Sequence, residues 1–238
     1  MPRFPLRASL FLPLLAFALI GCKSSGPRTI QAMRDSGDRA YVVGRYDVAE
    51  SEYRQVIERA PYDKQYRKGY GLALLRNGNA PLARENLEIA HTYNPRDNEV
   101  IDGLAEAMRR SNDSEGMARF LKGLATERNG VEDWLRLGNH MHAAGDNDEA
   151  RKAYLIAAKL DAGKSFDPQY LLAKFFYDIG DVSNAIERTR MAYFLRPTDD
   201  RVLTLARQLN QITGPTFGIR PAEQEPKAQS RDRSTPMN

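Results

Sequence analysis

The one thiol and the three imidazoles of this sequence, which could carry covalent, metal-binding or acid–base chemistry, are Cys22, His91, His140 and His142. A thiol can be acylated or bind a metal, and an imidazole can transfer a proton or ligate zinc. His140 and His142 are two residues apart, so on a helix they point in different directions and cannot share a metal as an i, i+4 pair would. His91 stands alone in its segment. The spacing predicts no catalytic residue and no metal site.

The sequence also lacks the common phosphate and hydrolase motifs. Gly-Tyr-Gly at 69–71 is not followed by a phosphate-loop pattern, and Gly-x-Ser-x-Gly is absent. The formal net charge is +4, from 35 basic and 31 acidic residues, and this small excess is scattered along the chain. Affinity for phosphate backbones needs clustered cations. We therefore predict that the protein is not an enzyme and has no cofactor, small-molecule substrate or nucleic-acid ligand.

Cys22 is the only cysteine, so an intrachain disulfide is excluded. It follows a basic start with Arg3 and Arg7 and an apolar stretch at residues 8–20. These 13 residues are too few for a bilayer span, which needs about 20, but they suit a secretory leader. Leu-Ile-Gly-Cys at 19–22 resembles a bacterial lipobox, which implies a signal peptide at 1–21 and lipidation of Cys22.

The resemblance to bacterial lipoproteins also predicts where the chain is located. Lys23 follows the cysteine, whereas in enterobacterial lipoproteins an aspartate at that place favours the inner membrane. Residues 22–29 would form the lipidated N-terminus and a short polar linker, whose last seven residues span at most about 24 Å. We expect a protein anchored in the bacterial cell envelope, on the outer membrane facing the periplasm, with its next domain close to the lipid.

One pattern recurs along the chain with a period of about 34 residues. A turn glycine is followed by an alanine five residues later, an aromatic residue or leucine four later, and often a proline eight after that. Such a period is typical of stacked helical hairpins. The pattern defines five units, at 30–63, 64–97, 98–130, 131–165 and 166–199.

The fourth unit carries the clearest resemblance to the tetratricopeptide repeat (TPR) family. Its residues fall where that family has Trp, Leu, Gly and Tyr, then Gly, Ala, Phe and Ala: Trp134, Leu137, Gly138, Met141, Gly145, Ala150, Tyr154 and Ala157. The resemblance covers residues 30–212. It implies an all-α, right-handed superhelical solenoid of helix-turn-helix hairpins, closed by a capping helix at 200–212.

Two units and the C-terminal tail depart from this regularity. Residues 98–130 lack the turn glycine and the closing proline and carry Met117 at a small position, and residues 30–63 place Ser36 and Ala40 where larger side chains are usual. We expect both units to pack least tightly. Residues 213–238 are rich in proline and poor in apolar side chains, so we expect disorder there. The alternative is that Phe217 and Ile219 dock on the solenoid or on a partner.

The family resemblance also implies a binding surface. In TPR proteins the first helix of each unit lines the concave groove. Chaperone-binding members of the family also hold a C-terminal carboxylate with a clamp of Lys, Asn and Arg, and this clamp is incomplete here. The predicted groove residues that bind a protein partner are Arg34, Tyr41, Lys68, Arg76, Glu106, Arg109, Arg110, Asn139, His142, Tyr170, Lys174 and Tyr177.

Together, the lipobox and the repeats resemble bacterial TPR lipoproteins, which include the pilotins of type IV pili and the tight-adherence pilus assembly lipoproteins. We therefore expect a membrane-anchored scaffold that binds protein partners, with a role in pilus or secretion assembly. Two alternatives remain open at this point: an accessory factor of outer-membrane protein insertion, or a regulator of a peptidoglycan enzyme.

Overall fold

The computed structural model describes residues 27–224, so the predicted signal peptide, Cys22 and residues 225–238 lie outside the described residues. The described part contains eleven α-helices and no strand. A 3₁₀ turn at Lys64–Tyr66 precedes the third helix. The helices are α1 Ile30–Val42, α2 Tyr46–Arg59, α3 Arg67–Arg76, α4 Ala80–Tyr93, α5 Asn98–Arg110, α6 Ser114–Arg128, α7 Val131–Ala143, α8 Asn147–Asp161, α9 Phe166–Asp178, α10 Val182–Leu195 and α11 Asp200–Gln208.

The helices form five consecutive hairpins, α1–α2 to α9–α10, and each second helix also packs against the first helix of the next hairpin. A main apolar core therefore runs from Ala40 to Leu209 through the stack, and a smaller cluster of Phe166, Ala192 and Val202 lies at its C-terminal end. This confirms the predicted all-α solenoid. No helix among the described residues is both long and apolar enough to cross a bilayer.

The turn inside each hairpin needs one residue in the left-handed region of backbone conformation. Four turns use glycine, with φ between 78° and 87° at Gly44, Gly78, Gly145 and Gly180. The third turn uses Asn112 at φ 59°, and asparagine is among the few other residues that tolerate this conformation. The third hairpin therefore keeps the same kind of turn without a glycine. At the end of that hairpin Asn129 is left-handed too, at φ 48°, and stops α6 without a proline.

The two irregular units, which were expected to pack least tightly, differ in how far apart their helices lie. Of the five hairpins, α5–α6 has the helices that approach each other least closely, and the fully buried Met117 lies between them. In the first unit, the ring of Tyr53 packs so closely on Gly37 that a Cβ there would lie 2.9 Å away. The helices α1 and α2 are as close as those of a regular hairpin.

The C-terminal end differs from the sequence expectation in two ways. The capping helix α11 ends at Gln208 and not at residue 212, because Asn210 is left-handed at φ 56°. Residues 214–224 are not disordered but run back along α10. Phe217 is buried against Tyr193, with ring centroids 5.2 Å apart, and the Ile219 amide donates to the Arg190 carbonyl at 3.2 Å. The segment has too few apolar residues for a core of its own, but it adds to an existing one.

Candidate partner-binding groove

The first helices of consecutive hairpins line three adjoining pockets, of about 350, 630 and 340 Å³. Tyr41, Leu72 and Glu99 belong to both the first and the second pocket. Asp102 and His140 belong to both the second and the third. The pockets therefore form one groove from α1 to α9, open to solvent along its length.

The first pocket has aromatic walls. Tyr41, Tyr53 and Tyr66 line it together with Leu72. The Tyr53 hydroxyl donates to Asp38 Oδ1 at 2.7 Å. Burial and this carboxylate both raise the pKa of Tyr53 far above its usual value, so the phenol stays protonated. The pocket offers a preformed space for one large side chain of a partner, with aromatic walls and charged residues such as Arg34, Lys68 and Glu99 around them.

Most charges of the groove are already paired within the protein. Lys68 Nζ lies 2.8 Å from both Asp97 and Glu99. Arg136 Nε donates to Asp102 Oδ1 at 2.9 Å, and His140 lies 3.2 Å from the same oxygen. Burial opposes ionisation of Asp102, but His140 and Arg136 hold its pKa below the usual value.

Glu106 joins two of the predicted groove residues. Arg109 donates to both of its carboxylate oxygens, at 2.7 and 2.8 Å, and Arg110 Nε donates to Oε1 at 2.5 Å. Hydrogen bonds from Arg109 lower the pKa of Glu106. Burial raises this pKa in part, and Arg110 lowers it further. Arg110 also donates to the Leu75 carbonyl at 3.3 Å. Both guanidinium groups are therefore held in place, and Arg109 faces Glu106 and not a pocket.

Arg76 differs from the other groove cations, because no carboxylate of the described residues lies within 4.0 Å of it. Its guanidinium carbon lies 5.9 Å from the Tyr46 ring centroid, and a hydrogen bond with Tyr41 raises its pKa. Tyr41 and Tyr46 in turn pack edge to face with centroids 5.3 Å apart. Two tyrosines thus contact a charged group on which the Glu99 carboxylate acts from beyond ion-pair distance.

The structure brings together seven of the twelve predicted groove residues in these pockets. They are Arg34, Tyr41, Lys68, Arg76, Glu106, Arg110 and Asn139. The other five, Arg109, His142, Tyr170, Lys174 and Tyr177, line none of the three.

Four of these five lie in the last two hairpins and contact other residues of the solenoid: His142, Tyr170, Lys174 and Tyr177. Tyr170 stacks on Phe166 with centroids 5.4 Å apart, and Arg201 lies over its ring. His142 packs edge to face on Phe175 with centroids 5.2 Å apart. Lys174 pairs with Asp178 and lies 5.7 Å from the Tyr177 ring centroid.

Sequence reasoning missed several residues that shape the groove, notably Tyr66, Leu72, Leu75 and Arg136. Leu72 occupies a repeat position that lines the groove in the first, third and fourth units, so the register alone could have found it. Arg136 pairs with Asp102, which lies 34 residues earlier. Opposite charges one repeat apart are a sequence signal for such cross-unit pairs. Tyr66 lies in the 3₁₀ turn, which has no counterpart in the other units.

Comparison with known proteins gives the same architecture. A family model described as tetratricopeptide repeat matches residues 34–93 and 135–200, on either side of the irregular third unit. No curated protein matches the chain in sequence. Among solved structures, MamA has 16% identity and a TM-score of 0.53, with 78% of this chain and 98% of that one covered. A thermophilic TPR protein of Thermus thermophilus has 21% identity and a TM-score of 0.49, with 76% and 97% covered.

Proposed function

The chain belongs to the tetratricopeptide repeat family, and from this premise we propose that it is a scaffold that binds an extended segment of a protein partner in the groove. The observation that carries the proposal is the run of three adjoining pockets across consecutive repeats, with aromatic, apolar and charged walls. Pockets that continue from one repeat to the next suit a partner segment of several residues better than a single compact ligand.

The lipobox supports a further part of the proposal, that the scaffold is lipid-anchored through Cys22 in the bacterial envelope, on the outer membrane facing the periplasm. Cys22 precedes the first residue of α1 by eight positions, which would keep the groove near the lipid surface. A multiply acylated cysteine holds a protein on a membrane, since each buried methylene contributes about 0.8 kcal/mol. In the envelope, the resemblance to pilotins and tight-adherence lipoproteins supports a role in pilus or secretion assembly.

Crosslinking in cells tests the groove. A photoreactive phenylalanine analogue is placed at Tyr41, which lines two pockets, and at Leu155 on α8, which is exposed and outside all three pockets. We expect the Tyr41 position to capture a distinct protein and the Leu155 position to capture none of it. Equal capture from both positions would contradict a groove-based function.

Replacing Cys22 with alanine tests the anchor. Without the thiol no acyl chain can be attached, so we expect the Cys22→Ala chain to leave the membrane fraction or to retain its leader. Ser24→Ala, two residues away, is the matched control and should stay in the membrane. Fractionation together with labelling by a radioactive fatty acid provides the measurement. A Cys22→Ala chain that remains acylated and membrane-bound would exclude the lipobox.

A further inference from the structure

The segment that precedes α1 is held against α2. Arg28 Nη1 donates to Glu52 Oε1 at 2.8 Å, and Arg28 Nη2 donates to Gln55 Oε1 at 3.2 Å. Arg59, the last residue of α2, donates to the Arg28 carbonyl at 2.5 Å. The Glu52 side chain is only 12% exposed, so its ion pair is partly shielded from water. The chain toward Cys22 therefore leaves the solenoid from a fixed place beside the C-terminal end of α2.

Little chain lies between that place and the cysteine of the predicted lipobox. Five residues, 23–27, separate Cys22 from Arg28. When fully extended, this connection spans at most about 20 Å. The helix α1 has 13 residues, which corresponds to a length of about 20 Å, and the first hairpin turn lies at its far end. The end of the hairpin that carries Arg28 is therefore the end nearest to the anchor.

This end of the first two hairpins presents exposed tyrosines. Tyr62 lies in the turn after α2 and is 95% exposed, the highest value for a large hydrophobic side chain among residues 27–224. The turn is held in place, because Arg67 donates to the Pro61 carbonyl at 2.9 Å. Tyr93, the last residue of α4, occupies the corresponding end of the second hairpin and is 61% exposed. Tyrosine combines an apolar ring with a polar hydroxyl and is enriched where membranes meet water.

The charges around Tyr62 are balanced. The cations Arg59 and Lys64 are exposed, and the carboxylates Glu58 and Asp63 are exposed or half-buried beside them. Attraction to acidic lipid headgroups therefore does not select this edge. The short connection to the anchor selects it, and the tyrosines give it a surface that suits the interface.

We propose that the edge of the solenoid formed by Tyr62 and Tyr93 lies on the lipid surface, with the Tyr62 ring in the membrane–water interface. The helices α1 and α2 then stand on the membrane, and the turn at Gly44 points away from the lipid. The groove, which crosses the first helices one after another, begins beside the membrane. This inference rests on the proposed function, since it needs the anchor at Cys22.

Quenching of fluorescence by brominated lipids tests this orientation. The full chain is purified from membranes and placed in phosphatidylcholine vesicles with or without bromine near the headgroups. Tyr62→Trp puts an indole at the proposed contact. Val43→Trp is the matched control, because Val43 is 69% exposed but lies in the first hairpin turn. We expect bromine to lower the added fluorescence of Tyr62→Trp about twofold, because an indole in the interface contacts the lipid. The added fluorescence of Val43→Trp should not change. Wild type, with Trp134 alone, gives the background.

The outcomes separate the orientation from the anchor. Mass spectrometry shows whether Cys22 is acylated in the purified chain. If the chain is acylated, quenching at Val43→Trp alone, at both positions equally or at neither overturns the inference and leaves the anchor intact. If the chain is unacylated and does not bind vesicles, the anchor fails and the inference fails with it. Both substituted side chains are exposed, so thermal unfolding near that of wild type is expected and checks that the fold is intact.

Discussion

Gly138→Ala should destabilise the fourth hairpin, although alanine normally favours a helix over glycine by about 1 kcal/mol. An added Cβ would lie 2.7 Å from Cε1 of Tyr154. That ring cannot move aside easily, because it is 3% exposed, packs near Phe175 and donates from its hydroxyl to Asn139 Oδ1 at 2.7 Å. The helices α7 and α8 must separate instead. We expect a net loss of about 2 kcal/mol in the free energy of unfolding, as for other overpacked cores.

Gly123→Ala is the matched control, because it makes the same chemical change in an open place. Gly123 lies on the exposed side of α6, and a Cβ there would meet no atom within 4 Å. We expect this variant to gain about 0.5 to 1 kcal/mol. Urea unfolding measures both variants, and hydrogen exchange shows whether the loss is confined to α7 and α8. A Gly138→Ala chain as stable as wild type would show that this ring does not set the helix spacing.

The same close contact explains why the repeat pattern predicted the helices so well. Residues such as Gly138 and Tyr154 are 16 positions apart in sequence and touch across one hairpin, so their types are fixed by local geometry that each unit repeats. The predicted unit starts at 30, 98, 131, 166 and 200 are the first residues of α1, α5, α7, α9 and α11. Helix periodicity and turn residues are short-range signals, and both could be taken from the sequence.

Features that depend on contacts between units were harder to predict from the sequence. Nothing in the pattern of the third unit indicated that Arg128 would bind both Asp133 and the Pro95 carbonyl and so link α6 to its neighbours. The groove was predicted from repeat positions alone, which gave seven lining residues but not their pairing. Whether Arg76 or Arg110 forms an ion pair within the chain depends on where Glu106 and Tyr46 lie in space. Repeat register does not encode that.

The C-terminal tail, residues 214–224, is the clearest example of a structure that the repeat pattern did not predict. Its removal should have the largest effect on stability at the C-terminal end of the solenoid. A chain that ends at Thr213 loses the buried Phe217 and also Glu223, which pairs with Arg188 at 2.5 Å and accepts from Gln169 at 3.0 Å. Gln169 is fully buried and Arg188 is 15% exposed, so both would lose a charged partner. Burial of a phenylalanine contributes about 2 kcal/mol, and each deserted polar group costs about 1 to 3 kcal/mol. Ordering the tail offsets part of this, so we expect a net loss of about 2 to 4 kcal/mol.

The matched reference for this truncation is a chain that ends at Gln224, which keeps every tail residue with a described contact. In a solenoid each hairpin contacts only its neighbours, so the loss in the shorter chain should be local. Hydrogen exchange should rise in α9, α10 and α11 and stay unchanged in α1 to α4. If the chain ending at Thr213 keeps full protection in α10, the tail contacts add no stability. If α1 to α4 lose protection as well, the solenoid unfolds as one cooperative unit and the tail stabilises all of it.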